Sequence, residues 1–184
     1  WLEVPDEHAH RLVLKMDPGS AFGTGSHPTT RLCLEALEQT PPSGLRVADL
    51  GCGSGVLGVA ALALGARQVL SVDTDSLAVR ATTDNADLNG LSADQLSVTL
   101  GSVEVLATLL EGQPADLLLC NILAPVIEAL SPQFESVLRP GGRGLLSGLL
   151  VEQAPRLTQV LESLGWIVEP LAEQGRWGLL EIRR

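Results

Sequence analysis

The chain has no tyrosine, two phenylalanines and three tryptophans, so aromatic residues make up only 3% of its 184 positions. A tyrosine acid of the kind used in hydride transfer is thereby excluded. Basic residues are also scarce: eleven arginines and a single lysine, Lys15, are scattered along the chain against 22 acidic residues. The formal net charge is −10 and the isoelectric point near 4.6. That balance argues against a nucleic-acid groove, which needs clustered cations to displace counterions from phosphates. It reads first as solubility and second as affinity for a cationic partner. Only three cysteines occur, Cys33, Cys52 and Cys120, too far apart for paired metal spacing, so no metal site is predicted. Each sits in an apolar run, as buried free thiols do, and a reducing, cytoplasmic location is expected. No apolar stretch of the roughly 18 residues that a membrane span requires is free of charge or Gly/Pro punctuation. No signal peptide is read at the start either.

What is present is a normal globular share of apolar residues, 45%, in a chain with room for one domain. Arg46–Gly51, Gln68–Asp75, Leu96–Gly101, Ala115–Ile122 and Gly142–Leu150 are short Leu/Val-rich runs bounded by Gly, Pro or Asp, the length of buried strands. Between them, Gly55–Leu64, Ser76–Asn89, Ser102–Leu110, Ile127–Leu138 and Glu152–Leu164 carry helical periodicity, with Ser76 as a helix cap and Asn89-Gly90 as a stop. Such alternation predicts a parallel sheet covered on both faces. Trp166–Leu171 and Trp177–Arg183 are too close for a crossover and must pair antiparallel. The expected fold is therefore α/β, a Rossmann-like sheet finishing in a C-terminal antiparallel hairpin. That is the layout of class I S-adenosylmethionine-dependent methyltransferases. Before the first strand, a glycine-rich loop from Asp17 to Pro28 leads into a helix over Thr29–Gln39, with Ser26 and Pro28 as start signals. Gly141-Gly142 reads as the turn before the fifth strand.

Asp49-Leu50-Gly51-Cys52-Gly53-Ser54-Gly55 is a strand running into a glycine turn at a helix start, where a ligand can approach the backbone closely. The bland alternative is a tight turn with no ligand. The competing cofactor is NAD, because Gly53-Ser54-Gly55-Val56-Leu57-Gly58 spells G-x-G-x-x-G with acidic Asp73 beyond it. Asp49 just before the glycines would repel a pyrophosphate but suits the amino group and sulfonium of S-adenosyl-L-methionine. Asp73 ends the second strand and is expected to accept hydrogen bonds from ribose hydroxyls, with Asp75 the cap or solvated residue beside it. Asn121 ends the fourth strand opposite the glycine loop. There its side-chain carbonyl would orient a substrate amine; the alternative is a turn Asn bonded to its own backbone.

Pro18–Glu35 (PGSAFGTGSHPTTRLCLE), Asp49–Ala61 (DLGCGSGVLGVAA), Val72–Val79 (VDTDSLAV), Asn121–Ala124 (NILA) and Leu138–Leu150 (LRPGGRGLLSGLL) resemble the ribosomal protein methyltransferase family PrmA. The similarity runs from about Asp17 to the end. The resemblance implies trimethylation of amino groups on the large-subunit ribosomal protein L-eleven (L11), with S-adenosyl-L-methionine as cofactor. It implies cofactor-binding roles for Thr30, Gly51, Asp73 and Asn121. Phe22, by its place in the loop, and Gly53 join that set. No catalytic acid or base is assigned; Asn121 positions the amine, and His27, before Pro28 at a helix start, reads as a capping or packing residue. His8 and His10 read as solvated.

The expected organisation is one methyltransferase domain over residues 1–184, with 1–16 a linker or edge segment. The family's N-terminal substrate-recognition domain would be absent, since the chain opens on Trp1. A monomer is expected, with L11 as protein substrate and no nucleic-acid or membrane partner. Asn121-Ile122-Leu123 offers no aromatic ring to stack on a planar amide or base, which favours an aliphatic amine. Such an amine must lose its proton before it attacks, and desolvation at the pocket mouth would help it do so. Methylation of another amine, NAD-linked oxidation and cofactor binding without catalysis remain the alternatives.

Overall fold

The computed structural model describes residues 11–17 and 25–184. Strands β1 (Arg46–Leu50), β2 (Gln68–Asp73), β3 (Leu96–Leu100), β4 (Ala115–Asn121), β5 (Leu138–Leu150), β6 (Ile167–Gln174) and β7 (Trp177–Arg183) form one sheet in the order β3-β2-β1-β4-β5-β7-β6. The first five run parallel and β7 lies antiparallel to both of its neighbours. Helices α1 (Pro28–Gln39), α2 (Val56–Ala63), α3 (Ser76–Leu88), α4 (Val103–Leu109), α5 (Ala124–Leu130) and α6 (Ala154–Ser163) cover it.

Strand alternation divides the core in two. Val47, Val69, Leu117, Leu119 and Leu145 pack with Leu32 and Leu37 of α1, Leu57 of α2 and Ala86 of α3. Ala48, Leu70, Leu118 and Leu146 point the other way, onto Leu106 of α4, Ile127 of α5 and Leu161 of α6. Leu117, Leu118 and Leu119 are fully buried, each worth about 1.5–3 kcal/mol. The three cysteines are buried free thiols. Burial, then the charge of Asp49, pushes the Cys33 thiol up to about 12 and raises Cys52 and Cys120 as well.

Four sequence expectations need correction. The α3 cap is Asp75, whose carboxylate accepts the Leu77 N–H at 2.8 Å, and Ser76 is the first helical residue. The α1 cap is His27, not Ser26. The helix expected over Ile127–Leu138 starts earlier and ends at Leu130, giving way to a 3-10 turn over Ser131–Ser136. Pro132 has no N–H to continue the α pattern, and the Ser131 hydroxyl bonds the Glu128 carbonyl at 2.9 Å instead. Lastly, β5 begins at Leu138, so Gly141-Gly142 lies inside it: Ala115 opposes Leu138 but Leu117 already opposes Arg143, and Pro140-Gly141-Gly142 bulge out.

Candidate active site

The strand order reverses between β1 and β4, and there the carboxyl ends of the strands leave a crevice. β1 exits into a turn in which the N–H groups of Gly51 and Cys52 both reach the Val72 carbonyl, at 2.9 and 3.1 Å. Gly51 has φ +77°, and a Cβ on it would lie 2.3 Å from Ile122 Cγ2. Only glycine lets β1 pass under the residue that follows β4. On the other side, Gly53 donates its N–H to Asp73 Oδ2 at 2.9 Å, and Asp75 donates to Asp73 Oδ1 at 3.0 Å. The Asp73 carboxylate is thus aimed from two sides, and each oxygen keeps acceptor capacity for a ligand hydroxyl.

A cavity of about 480 Å³ opens here, within the range of about 300–1,000 Å³ usual for small-molecule sites. Leu50 and Gly51 form its floor, with Asp73 and Thr74 at one end, Gly101 and Ser102 beside them, and Asn121, Ile122 and Gly148 behind. Leu123, Val126 and Leu130 make an apolar wall, while His27, Thr29 and Trp177 close the far side. The His27 and Trp177 rings meet edge to face at 4.9 Å between centroids. His27 Nδ1 lies 2.8 Å from Thr29 Oγ1 and accepts the Thr29 N–H at 3.4 Å, so the expected capping role is observed.

Asn121 donates through Nδ2 to Thr30 Oγ1 at 3.4 Å. Its other polar atom, Oδ1, is buried with no hydrogen-bond partner. A buried carbonyl left unpaired costs about 1–3 kcal/mol, and this one belongs to a residue of the cavity lining. Thr30 is fully buried behind Asn121 and does not line the cavity itself; Thr29 does. Gly53 is likewise off the wall, and its N–H bonds Asp73, which is on it. Phe22 lies outside the described residues.

Asp49 departs from expectation. Its side chain is 1% exposed and packs under α2, with Oδ2 3.3 Å from where a Gly58 Cβ would stand. It does not line the cavity, so it is not what would meet a pyrophosphate. Burial, then the negative charge of Asp73, raises its carboxyl to about 7, against which the Gly58 N–H pulls back. Discrimination between cofactors rests on the wall instead. Among the described residues no Lys or Arg lines the cavity, while the carboxylate of Asp73 does. That suits a cationic sulfonium with ribose hydroxyls better than a diphosphate. Trp177, Thr29 and Gly148 escaped the sequence reading. Only Gly148, a glycine inside a strand, carried a readable signal.

A family model described as ribosomal protein L11 methyltransferase (PrmA) matches residues 1–184. A ribosomal protein L11 methyltransferase of Parasynechococcus marenigrum (strain WH8102) is 73% identical over 184 residues, 100% of this chain and 64% of that protein. One from Prochlorococcus marinus (strain MIT 9313) is 67% identical over the same length, 61% of that protein. The chain therefore spans a little under two thirds of these relatives. A crystal structure of a ribosomal protein L11 methylase from Lactobacillus delbrueckii subsp. bulgaricus superposes with a TM-score of 0.80 at 34% identity, covering 93% of this chain and 84% of that one. The precorrin 8W decarboxylase of Methanobacterium thermoautotrophicum, at 19% identity and a TM-score of 0.72 over 98% of this chain and 99% of its own, shares the fold alone. With its motifs, strand order and end-to-end match all agreeing, the chain belongs to the ribosomal protein L11 methyltransferase (PrmA) family.

Proposed function

We propose that this chain is the methyl-transferring part of an S-adenosyl-L-methionine-dependent protein N-methyltransferase whose acceptors are lysine and N-terminal amino groups of ribosomal protein L11. It acts in the cytoplasm as a monomer, as one domain, with substrate recognition supplied by the part of the longer relatives that it does not match. The supporting observation is that Asn121, a residue of the cavity lining, carries a side-chain carbonyl with no hydrogen-bond partner.

The cofactor, when bound, supplies a methyl already activated on a sulfonium. Asp73 would accept its ribose hydroxyls, and the Gly51 backbone would lie against it. Thr30 takes the Nδ2 hydrogen bond of Asn121, and Oδ1 is left without a protein partner. Oδ1 then accepts an N–H of the incoming amine, leaving the nitrogen lone pair directed at the methyl. Fixed orientation of this kind is a large part of rate acceleration in direct transfer. Lysine has a reference pKa of ~10.4 and enters as ammonium. The apolar side chains of Ile122, Leu123 and Val126 disfavour the charged form, so the proton leaves to water as the amine enters. No dedicated base is needed.

The test compares Asn121→Ala with wild type by calorimetric titration and by single-turnover methylation of purified L11. The expected outcome is a rate lower by about 100-fold, in the range that a positioned catalytic hydrogen bond is worth, with cofactor affinity changed far less. Equal losses in both would make Asn121 a cofactor ligand only. Methylation of a different amine in preference to L11 would overturn the substrate assignment.

A further inference from the structure

Helix α3 carries Thr82, Asn85 and Asn89 at i, i+3 and i+7, along one face of the helix and its C-terminal cap. Thr82 and Asn85 are fully buried. Their hydrogen bonds reach two separate segments, with the Cys52 thiol also 3.3 Å from Thr82 Oγ1. Thr82 Oγ1 donates to the Gly53 carbonyl at 3.0 Å, and Asn85 Nδ2 donates to the Ser54 carbonyl at 2.9 Å. Both acceptors belong to the glycine turn below the cavity. In the other direction, Asn85 Oδ1 accepts the Asp17 N–H at 2.7 Å. Asn89 matches Lys15 as a strand partner would: Oδ1 accepts the Lys15 N–H at 3.0 Å and Nδ2 donates to the Lys15 carbonyl at 2.7 Å. Asn85 therefore spends both ends of its amide on joining a segment 68 residues upstream to a loop 31 residues upstream. An apolar residue would fill the same space and join nothing.

We infer that Asn85 is a positioning residue for cofactor binding. With Thr82 and Asn89, it couples the glycine turn mechanically to the backbone at Lys15–Asp17. The inference rests on the reading that this turn holds S-adenosylmethionine. A ligand that stills the Gly53-Ser54 backbone then stills Asp17 through one side chain. Conversely, loosening Asp17 weakens the ligand.

The experiment measures amide hydrogen exchange in the 184-residue chain with and without S-adenosylmethionine, beside calorimetric titration of three variants. In wild type, cofactor should slow exchange of the Lys15 and Asp17 amides at least 3-fold, together with the amides of residues 52–55. Asp17→Pro, which deletes the N–H offered to Asn85 along with the Asp17 carboxylate, should weaken cofactor binding 5- to 20-fold. Asn85→Asp keeps the acceptor but turns a second oxygen toward the Ser54 carbonyl, and should weaken it at least as much. Asn89→Ala should abolish the protection of Lys15 while the turn stays protected. Turn protection without any change at Lys15 and Asp17 would overturn the coupling, as would wild-type affinity in Asp17→Pro. Should Asn85→Asp fail to fold, wild-type exchange and Asp17→Pro decide the matter. A wild-type chain that binds no cofactor would refute the proposed function instead.

Discussion

Asp49 is a carboxylate held where water cannot reach it, and its effect on stability has a definite sign. Its folded-state value of about 7 lies above the ordinary 3.8, so the native state holds the proton more tightly than the unfolded chain. Stability from this group is fully present below pH ~4, falls as pH rises toward ~7, and is flat above. Asp49→Asn removes the charge and keeps the shape. It should be more stable than wild type by about 2–4 kcal/mol at pH 8, and equal to it near pH 4, by urea unfolding at both. The comparison cancels the other carboxylates. A wild type more stable than the variant at pH 8 would mean that the ionised form is well served in the fold. Gly51, Asp73 and Asn121 were legible as crevice residues because each stands at the carboxyl end of a strand in a motif. The facing of Asp49 was not. Val47-Ala48-Asp49-Leu50 is buried on both sides of the sheet, so no apolar-polar alternation reveals parity. Trp177 was hidden for another reason: the fold, and no local pattern, brings the start of β7 to the cavity.

At the scale of elements, length and punctuation located all seven strands: the five parallel ones as short apolar runs between breakers, and the last two as a pair too close in sequence for a crossover. Boundaries failed where proline or a bulge intervened, at Pro132 and at Pro140-Gly141-Gly142. The end of β5 shows how closely elements abut around the site. Gly148 has φ +85°, and a Cβ there would stand 2.2 Å from the Ile122 carbonyl oxygen. β5 therefore presses backbone to backbone on the residue after Asn121. Gly148→Ala should cost about 1–3 kcal/mol from left-handed strain alone, with the overlap adding to it. It should also lower single-turnover methylation by displacing Asn121. Denaturant unfolding and the transfer assay read the two effects separately, and wild-type values in both would show that β5 can yield without moving β4.

The described residues form one seven-stranded sheet with helices against both faces, and the relatives that this chain matches are more than half as long again. Binding energy from remote parts of a substrate normally helps to hold the reacting group in place, so its loss lowers turnover as well as affinity. The 184-residue chain should bind S-adenosylmethionine as tightly as the longer Parasynechococcus relative, yet methylate L11 with a kcat/KM at least 10-fold lower. Parallel titrations and initial-rate assays on the two proteins check this. Equal kcat/KM would place substrate recognition within these residues. Fold class was readable from the alternation of apolar runs and helical stretches, and the crevice in part from the motifs at the ends of β1, β2 and β4; no motif here spells out a surface for a large protein partner.

The three thiols sit in different parts of the same folded unit: Cys33 in α1, Cys120 in the central strand β4, and Cys52 under the crevice. Cys33 and Cys120 are fully buried and Cys52 nearly so, and burial holds all three protonated. A thiolate-alkylating reagent finds almost nothing to attack in the closed molecule and three targets in the open one. Label uptake therefore records the time each copy spends open, a clock built in without dye, tag or engineered probe. Because Cys52 lies in the glycine turn while Cys33 lies in a helix and Cys120 inside a strand, it also distinguishes a turn that has opened locally from a molecule that has come apart.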